Sequence, residues 1–140
     1  MAAPARGQRV GVDIELSDVP DDLLSTDVFT SAELAEIEVS PSHARRLWSR
    51  KEAVLKALGI GMVEHLRRIE VSGIEPPSVW SSVDVARRGH AGSRVWWRDV
   101  TAFSAHDLPV AVSASRPASI SVHEWRIVDV IESLKRMQRS

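Results

Sequence analysis

Alternation opens the chain. From residue 8 to 16 (QRVGVDIEL), Val10, Val12 and Ile14 share one side while Gly11, Asp13 and Glu15 share the other, the period of a strand whose apolar side rests on a core. Residues 18 to 28, rich in Pro, Asp and Ser, predict a loop with at most a short helix around Asp21 to Leu24. Thr30 and Glu33 then form a Thr-x-x-Glu capping box that opens a short helix through about Glu38. Ser40 before Pro41 predicts the start of a long helix. Leu47, Lys51, Val54, Leu55 and Leu58 keep helical spacing to about Leu58, with the Lys51 stem along the apolar seam, and Gly59 and Gly61 supply the stop.

The second half reads as strands. Arg68 to Ser72 and Val79 to Val85 are predicted strands, the latter with Val79, Ser81, Val83 and Val85 on one side, and 89 to 93 (GHAGS) reads as a turn. Arg94 to Phe103 and Val110 to Ser115 are further strands, and Trp125, Val128, Ile131 and Leu134 mark a closing amphipathic helix. The order predicts an α+β fold, mainly antiparallel sheet against a long helix, with 1–140 as one domain.

Composition changes this little. The chain has 140 residues, 18 Lys plus Arg against 19 Asp plus Glu, and no Cys. No apolar run approaches the ~20 residues of a membrane span and no secretory signal opens the chain, so a cytoplasmic protein is expected. Basic residues are interrupted by acids and lack aromatic interleaving, which argues against nucleic acid as a partner.

The charges are segregated, however. Residues 11 to 42 hold nine acidic side chains and no Lys or Arg, whereas 43 to 68 hold seven basic side chains against Glu52 and Glu64. Two solvated faces of opposite sign would explain this. So would a carboxylate cluster beside a basic rim, suited to a phosphorylated ligand with a metal.

Asp13 and Glu15, two apart on a strand, leave the same face. Arg45, Ser49, Glu52 and Lys56 form a polar helical stripe at spacings of four, three and four. If that stripe faces the strand, two or three carboxylates and two cations converge, an inventory suited to Mg²⁺ on a diphosphate and lacking the Cys and His of a zinc site. If it does not, Glu52 and Lys56 are an ordinary i,i+4 surface pair and the strand carboxylates are ordinary surface.

Gly11-Val12-Asp13-Ile14-Glu15 and Trp48-Ser49-Arg50-Lys51-Glu52-Ala53-Val54-Leu55-Lys56-Ala57-Leu58-Gly59 resemble the two signature motifs of the 4′-phosphopantetheinyl transferase superfamily, G-x-D-I-E and W-x-x-K-E-A-x-x-K-A-x-G. Val28 to Leu34 resembles the segment between the motifs, and Ile69-Glu70-Val71 the strand after them. The resemblance covers residues 9 to 72 well and the rest loosely. It implies that fold, and Mg²⁺-dependent transfer of phosphopantetheine from coenzyme A to a serine hydroxyl of an acyl or peptidyl carrier protein, releasing 3′,5′-adenosine bisphosphate. By similarity, Asp13, Glu15 and Glu52 are metal ligands. Lys56 holds the diphosphate. The serine proton needs an acceptor within reach, and Glu52 is expected to take it directly or through a metal-bound water; Arg45 and His106 are expected to contact the co-substrate.

The pattern also departs from the family. Holo-acyl-carrier-protein synthases, the single-repeat members, form trimers with the active site between protomers, and larger members carry two repeats. Here one repeat carries the Glu15 and Trp48 features of the second half of a two-repeat enzyme, so a homo-oligomer is expected, trimer before dimer. Of the single-repeat Ser-x-Ser-His segment, Ser104-Ala105-His106 matches convincingly only at His106. His43, His65, His90 and His123 read as surface residues. Trp96 and Trp97 read as core on one face and interface on the other. Arg45, Arg46 and Arg50, then Arg67 and Arg68, are the basic rim expected to dock an acidic carrier. The alternative function is a non-catalytic domain of the same fold, an interaction or assembly partner in a fatty-acid, polyketide or nonribosomal-peptide synthase system.

Overall fold

The computed structural model of the protein describes residues 8–15, 17–60, 66–73, 79–87, 90–100, 110–117 and 119–120. Strand β1 (Val10–Ile14) leads through a 3-10 turn at Asp21–Leu23 to helix α1 (Ser31–Val39) and the long helix α2 (His43–Leu58). A second 3-10 turn at Leu66–Arg68 precedes β2 (Ser81–Arg87), β3 (His90–Val100) and β4 (Val110–Ala114). The four strands form one sheet in the order β1-β4-β3-β2, with every neighbouring pair antiparallel. The fold is α+β.

Helix α2 lies across one face of this sheet. The face is set by register: Gly11 and Asp13 pair with Ser113 and Ala111, which pair in turn with Trp97 and Asp99. Gly11 decides how close the helix comes. A Cβ there would lie 2.0 Å from the Ala53 carbonyl oxygen and 2.6 Å from the Ala57 nitrogen, both backbone atoms, so only glycine lets strand and helix close to this distance. The expectation for β1 is therefore reversed. The Gly11/Asp13 side meets the helix, while Val10, Val12 and Ile14 are 42%, 39% and 43% exposed on the opposite side.

The core lies between α2, α1 and the sheet. Leu47, Val54, Leu55 and Leu58 of the predicted seam are buried with Phe29, Ile69, Val71, Val85, Val95 and Trp97. Gly59 ends α2 in the left-handed conformation, with φ 66° and ψ 30°, its N–H returning to the Leu55 and Lys56 carbonyls. The Thr30 capping box is complete: Glu33 N–H donates to Thr30 Oγ1 at 3.3 Å, and Thr30 N–H donates to Glu33 Oε2 at 3.0 Å.

Three boundaries move. Helix α2 starts at His43, after a turn in which the Ser40 and Pro41 carbonyls receive the His43 and Ala44 N–H groups, because Ser40 is already engaged as the C-cap of α1. The stretch 69–73 is not a strand. Its backbone groups bond to side chains: Glu33 takes the Val71 N–H, Lys51 takes the Ile69 carbonyl and Arg50 takes the Val71 and Gly73 carbonyls. Strand β3 already runs from His90, so the predicted 89–93 turn overlaps a strand: His90 pairs with Arg87 and Ser93 with Val85, across a register shift between Val85 and Arg87. The predicted closing helix, with Trp125, Val128, Ile131 and Leu134, lies outside the described residues.

Candidate active site

Sequence left open whether the polar stripe of α2 meets β1; it does. Arg45 Nη2 donates to the Glu15 carbonyl at 3.1 Å and Ser49 Oγ to the Asp13 carbonyl at 3.1 Å. Lys56 Nζ reaches the Val12 carbonyl at 3.1 Å and Asp13 Oδ1 at 2.8 Å. The helix thus runs antiparallel to the strand, each stripe residue one turn along holding the next stretch of strand backbone.

Glu52 belongs to the same stripe and is 8% exposed. Its Oε1 is buried without a partner, as is Oδ2 of Asp13. Such oxygens are costly unless something satisfies them. Burial first, then the Asp13 carboxylate, raise the Glu52 pKa above its ordinary value, with Glu15 adding to the rise and Lys56 opposing it. The Lys56 side chain is half exposed, so its ammonium can leave Asp13 for an arriving anion.

Other predicted residues fall differently. Glu15 Oε1 receives the Ser17 N–H at 3.1 Å, and among the described residues no group of three or more His, Cys, Asp or Glu stands ready around one ion. Arg45 braces the end of β1, its Nε 3.7 Å from Asp18 Oδ1. His106 lies outside the described residues. Arg50 cannot belong to a docking rim, being 1% exposed. It grips Asp99 through Nε at 2.9 Å and Nη2 at 2.6 Å, with its guanidinium carbon 4.3 Å from the centre of the Trp97 ring. His43 is buried against Glu36 Oε2 at 2.9 Å instead of facing solvent, because α2 begins beneath α1. Trp97 is core and Trp96 half-buried on the other face.

Lys51 is fully buried. Its Nζ pairs with the equally buried Glu33 Oε2 at 2.8 Å and donates to the Leu66 carbonyl at 2.7 Å and to the Ile69 carbonyl. Glu33, read only as a capping residue among solvated acids, is the anionic half of this pair. Its signal in sequence was its place three residues after Thr30, at the inner turn of α1.

A family model described as the 4′-phosphopantetheinyl transferase superfamily matches residues 9–113. The chain belongs to that superfamily. No curated protein and no solved structure matches it. The family carries out phosphopantetheine transfer with coenzyme A as donor, carrier proteins as acceptors and typically a divalent metal. In this phosphopantetheinyl transferase superfamily member, the matched region includes β1, α2 and all the charged groups described above.

The donor set fits a hard cation. Asp13 and Glu52 offer oxygen only, two of those oxygens are buried and unpartnered, and Mg²⁺ is commonly bound by one or two carboxylates with substrate phosphate completing its shell. No helix among the described residues is long and apolar enough to cross a membrane.

Proposed function

We propose that this protein is a 4′-phosphopantetheinyl transferase of the holo-acyl-carrier-protein synthase type, moving phosphopantetheine from coenzyme A to a serine of an acyl or peptidyl carrier protein. The observation that carries the reading is the pair of orphaned buried oxygens, Asp13 Oδ2 and Glu52 Oε1, beside the half-exposed ammonium of Lys56. Asp13 and Glu52, with Glu15 as third ligand, would hold Mg²⁺. The metal, when bound, neutralises charge on the diphosphate oxygens.

The chain's own groups supply the rest. Lys56 turns from Asp13 to the diphosphate and steadies the charge that builds on the leaving side. The serine oxygen attacks the phosphorus that carries the pantetheine arm. A new P–O bond forms, the bond to the bridging oxygen breaks, and adenosine 3′,5′-bisphosphate leaves. Glu52 accepts the serine proton, and its raised pKa suits that task better than an ordinary carboxylate would. Arg45 fixes the end of β1 that carries Glu15 and borders the co-substrate, while Arg46, Arg67 and Arg68 offer positive charge to an acidic carrier. The apolar strip of Val10, Val12 and Ile14 supports self-association, trimer before dimer.

Incubated with coenzyme A, Mg²⁺ and an apo carrier protein, the enzyme adds the mass of one phosphopantetheine to the carrier. Glu52→Gln lowers the rate by at least about a hundredfold, since both a ligand and the proton acceptor are lost. No transfer to any of several acyl and peptidyl carriers by the folded protein would sink the enzyme reading in favour of a non-catalytic domain of the same fold.

A further inference from the structure

Arg45, Ser49 and Lys56 of α2 all hold the backbone of β1, but they differ in what else they must do. Arg45 takes the Glu15 carbonyl, Ser49 the Asp13 carbonyl and Lys56 the Val12 carbonyl. Lys56 also carries Asp13 Oδ1, so the resting position of the Asp13 carboxylate leans on an ammonium whose side chain is half exposed. Once an anion draws Lys56 away, that support goes. Ser49 is placed differently. It is fully buried, and its hydroxyl donates at 3.1 Å to the carbonyl of Asp13 itself. A serine inside a helix commonly bonds back to a carbonyl one turn earlier, whereas this one reaches a second element. The close approach makes the reach possible: Gly11 crosses the backbone of Ala53 and Ala57, one and two turns on from Ser49 along the same row of the helix.

We infer that Ser49 is a positioning residue for the cation: its hydroxyl keeps the Asp13 peptide against α2, so that the Asp13 carboxylate stays beside Glu52 when Lys56 has left. The inference rests on the transferase reading, in which Asp13 and Glu52 hold a divalent metal and Lys56 turns to the diphosphate. Lys56 has to move, and Gly11 sets a distance without a directional bond. The Ser49 hydroxyl supplies the direction, and a short buried side chain has little freedom to lose in doing so. Ser49 touches neither metal nor substrate; it acts through Asp13. A matched control lies in the same sheet. Ser113 is also fully buried and its hydroxyl also donates to a backbone carbonyl, that of Trp96 at 3.0 Å, but this bond ties β4 to β3.

The test compares wild type, Ser49→Ala, Ser49→Thr and Ser113→Ala. The probe is Mn²⁺, with the free ion read by electron paramagnetic resonance, coenzyme A present or absent, and no carrier. Ser49→Ala and Ser113→Ala each leave a buried carbonyl without its hydroxyl, so both should lower the melting temperature by similar amounts. Only Ser49→Ala should weaken the cation, raising the Mn²⁺ Kd about tenfold, as loss of a group that orients a metal ligand does. Ser49→Thr keeps the hydroxyl and should stay within about threefold of wild type, and Ser113→Ala within about twofold. In transfer assays, Ser49→Ala should raise the Mg²⁺ concentration for half-maximal rate about tenfold, while kcat at saturating Mg²⁺ stays within about threefold. Unchanged Mn²⁺ affinity in Ser49→Ala overturns the role of Ser49 and leaves the transferase reading standing. So does an equal loss in Ser113→Ala, or in a folded Ser49→Thr protein. Wild-type protein that binds no Mn²⁺, with or without coenzyme A, overturns both the role of Ser49 and the metal site it serves.

Discussion

Three consecutive residues, Arg50, Lys51 and Glu52, point to two sides of α2 whose polar groups are treated in opposite ways. Toward α1, residues 66–73 and Asp99 of β3, all three Lys51 donors and all three Arg50 nitrogens have partners in a dry setting. Toward β1, two carboxylates stand close together with an oxygen of each left over. Of the four buried side-chain atoms without a hydrogen-bond partner among the described residues, three lie on the β1 side, in Asp13, Arg45 and Glu52. A closed network is a device for holding a chain segment, and an open one is a place for something that arrives. Both sides carry charges of both signs, but the first is dry and fully paired, whereas the second is partly open, with Lys56 half exposed, and leaves carboxylate oxygens unsatisfied.

The largest effect that would break this contrast comes from the closed side. Lys51→Met leaves the Glu33 carboxylate buried and unpaired, which should cost about 3–5 kcal/mol and lower the melting temperature by roughly 10–20 °C. Adding Glu33→Gln removes the stranded charge and should restore more than half of the loss. Thermal unfolding measures both, and a Lys51→Met variant within about 1 kcal/mol of wild type would mean that the pair does not hold α1 and 66–73 to the helix.

Next in size is the contact on which the open side depends. Gly11→Ala puts a methyl group against the Ala53 and Ala57 backbone, forcing β1 and α2 apart at a cost of about 1–3 kcal/mol. Because Asp13 and Glu52 then separate, transfer activity should fall at least tenfold at temperatures where the variant is still folded. Full activity in a destabilised Gly11→Ala protein would show that the close approach serves stability alone.

The smallest effect sharpens the contrast by its sign. Folded Glu52 binds its proton more tightly than unfolded Glu52, so its contribution to stability is lost as pH rises from the ordinary 4.5 through the raised value. In chelator at neutral pH, Glu52→Gln should therefore melt a few degrees above wild type, about 2–4 °C, even though it is inactive. The gap should close as pH falls toward 4.5. A lower melting temperature for Glu52→Gln at pH 7 would contradict strain at this carboxylate.

Much of the fold was legible along the chain because it depends on local rules. The capping box of α1, the glycine stop of α2 and the buried seam from Leu47 to Leu58 each follow from residues a few positions apart. The site residues were legible as types at spacings. Lys51 was not, since helical spacing puts it in the seam without saying whether its ammonium escapes to solvent or finds Glu33, 18 positions earlier. The 69–73 stretch reads as a strand from composition, yet its hydrogen bonds are taken by side chains that no pattern within that stretch reveals.

By itself the sequence determined the secondary structure around the two motifs, the polar stripe on α2 and the alternation of β1. Only the tertiary structure decided which side of β1 turns inward. Alternation says that two faces differ, and hydrophobicity favours burying Val10, Val12 and Ile14. The helix instead lies on the side where Gly11 has no side chain, because backbone can approach backbone only there, and that choice carries Asp13 to Glu52 and Lys56.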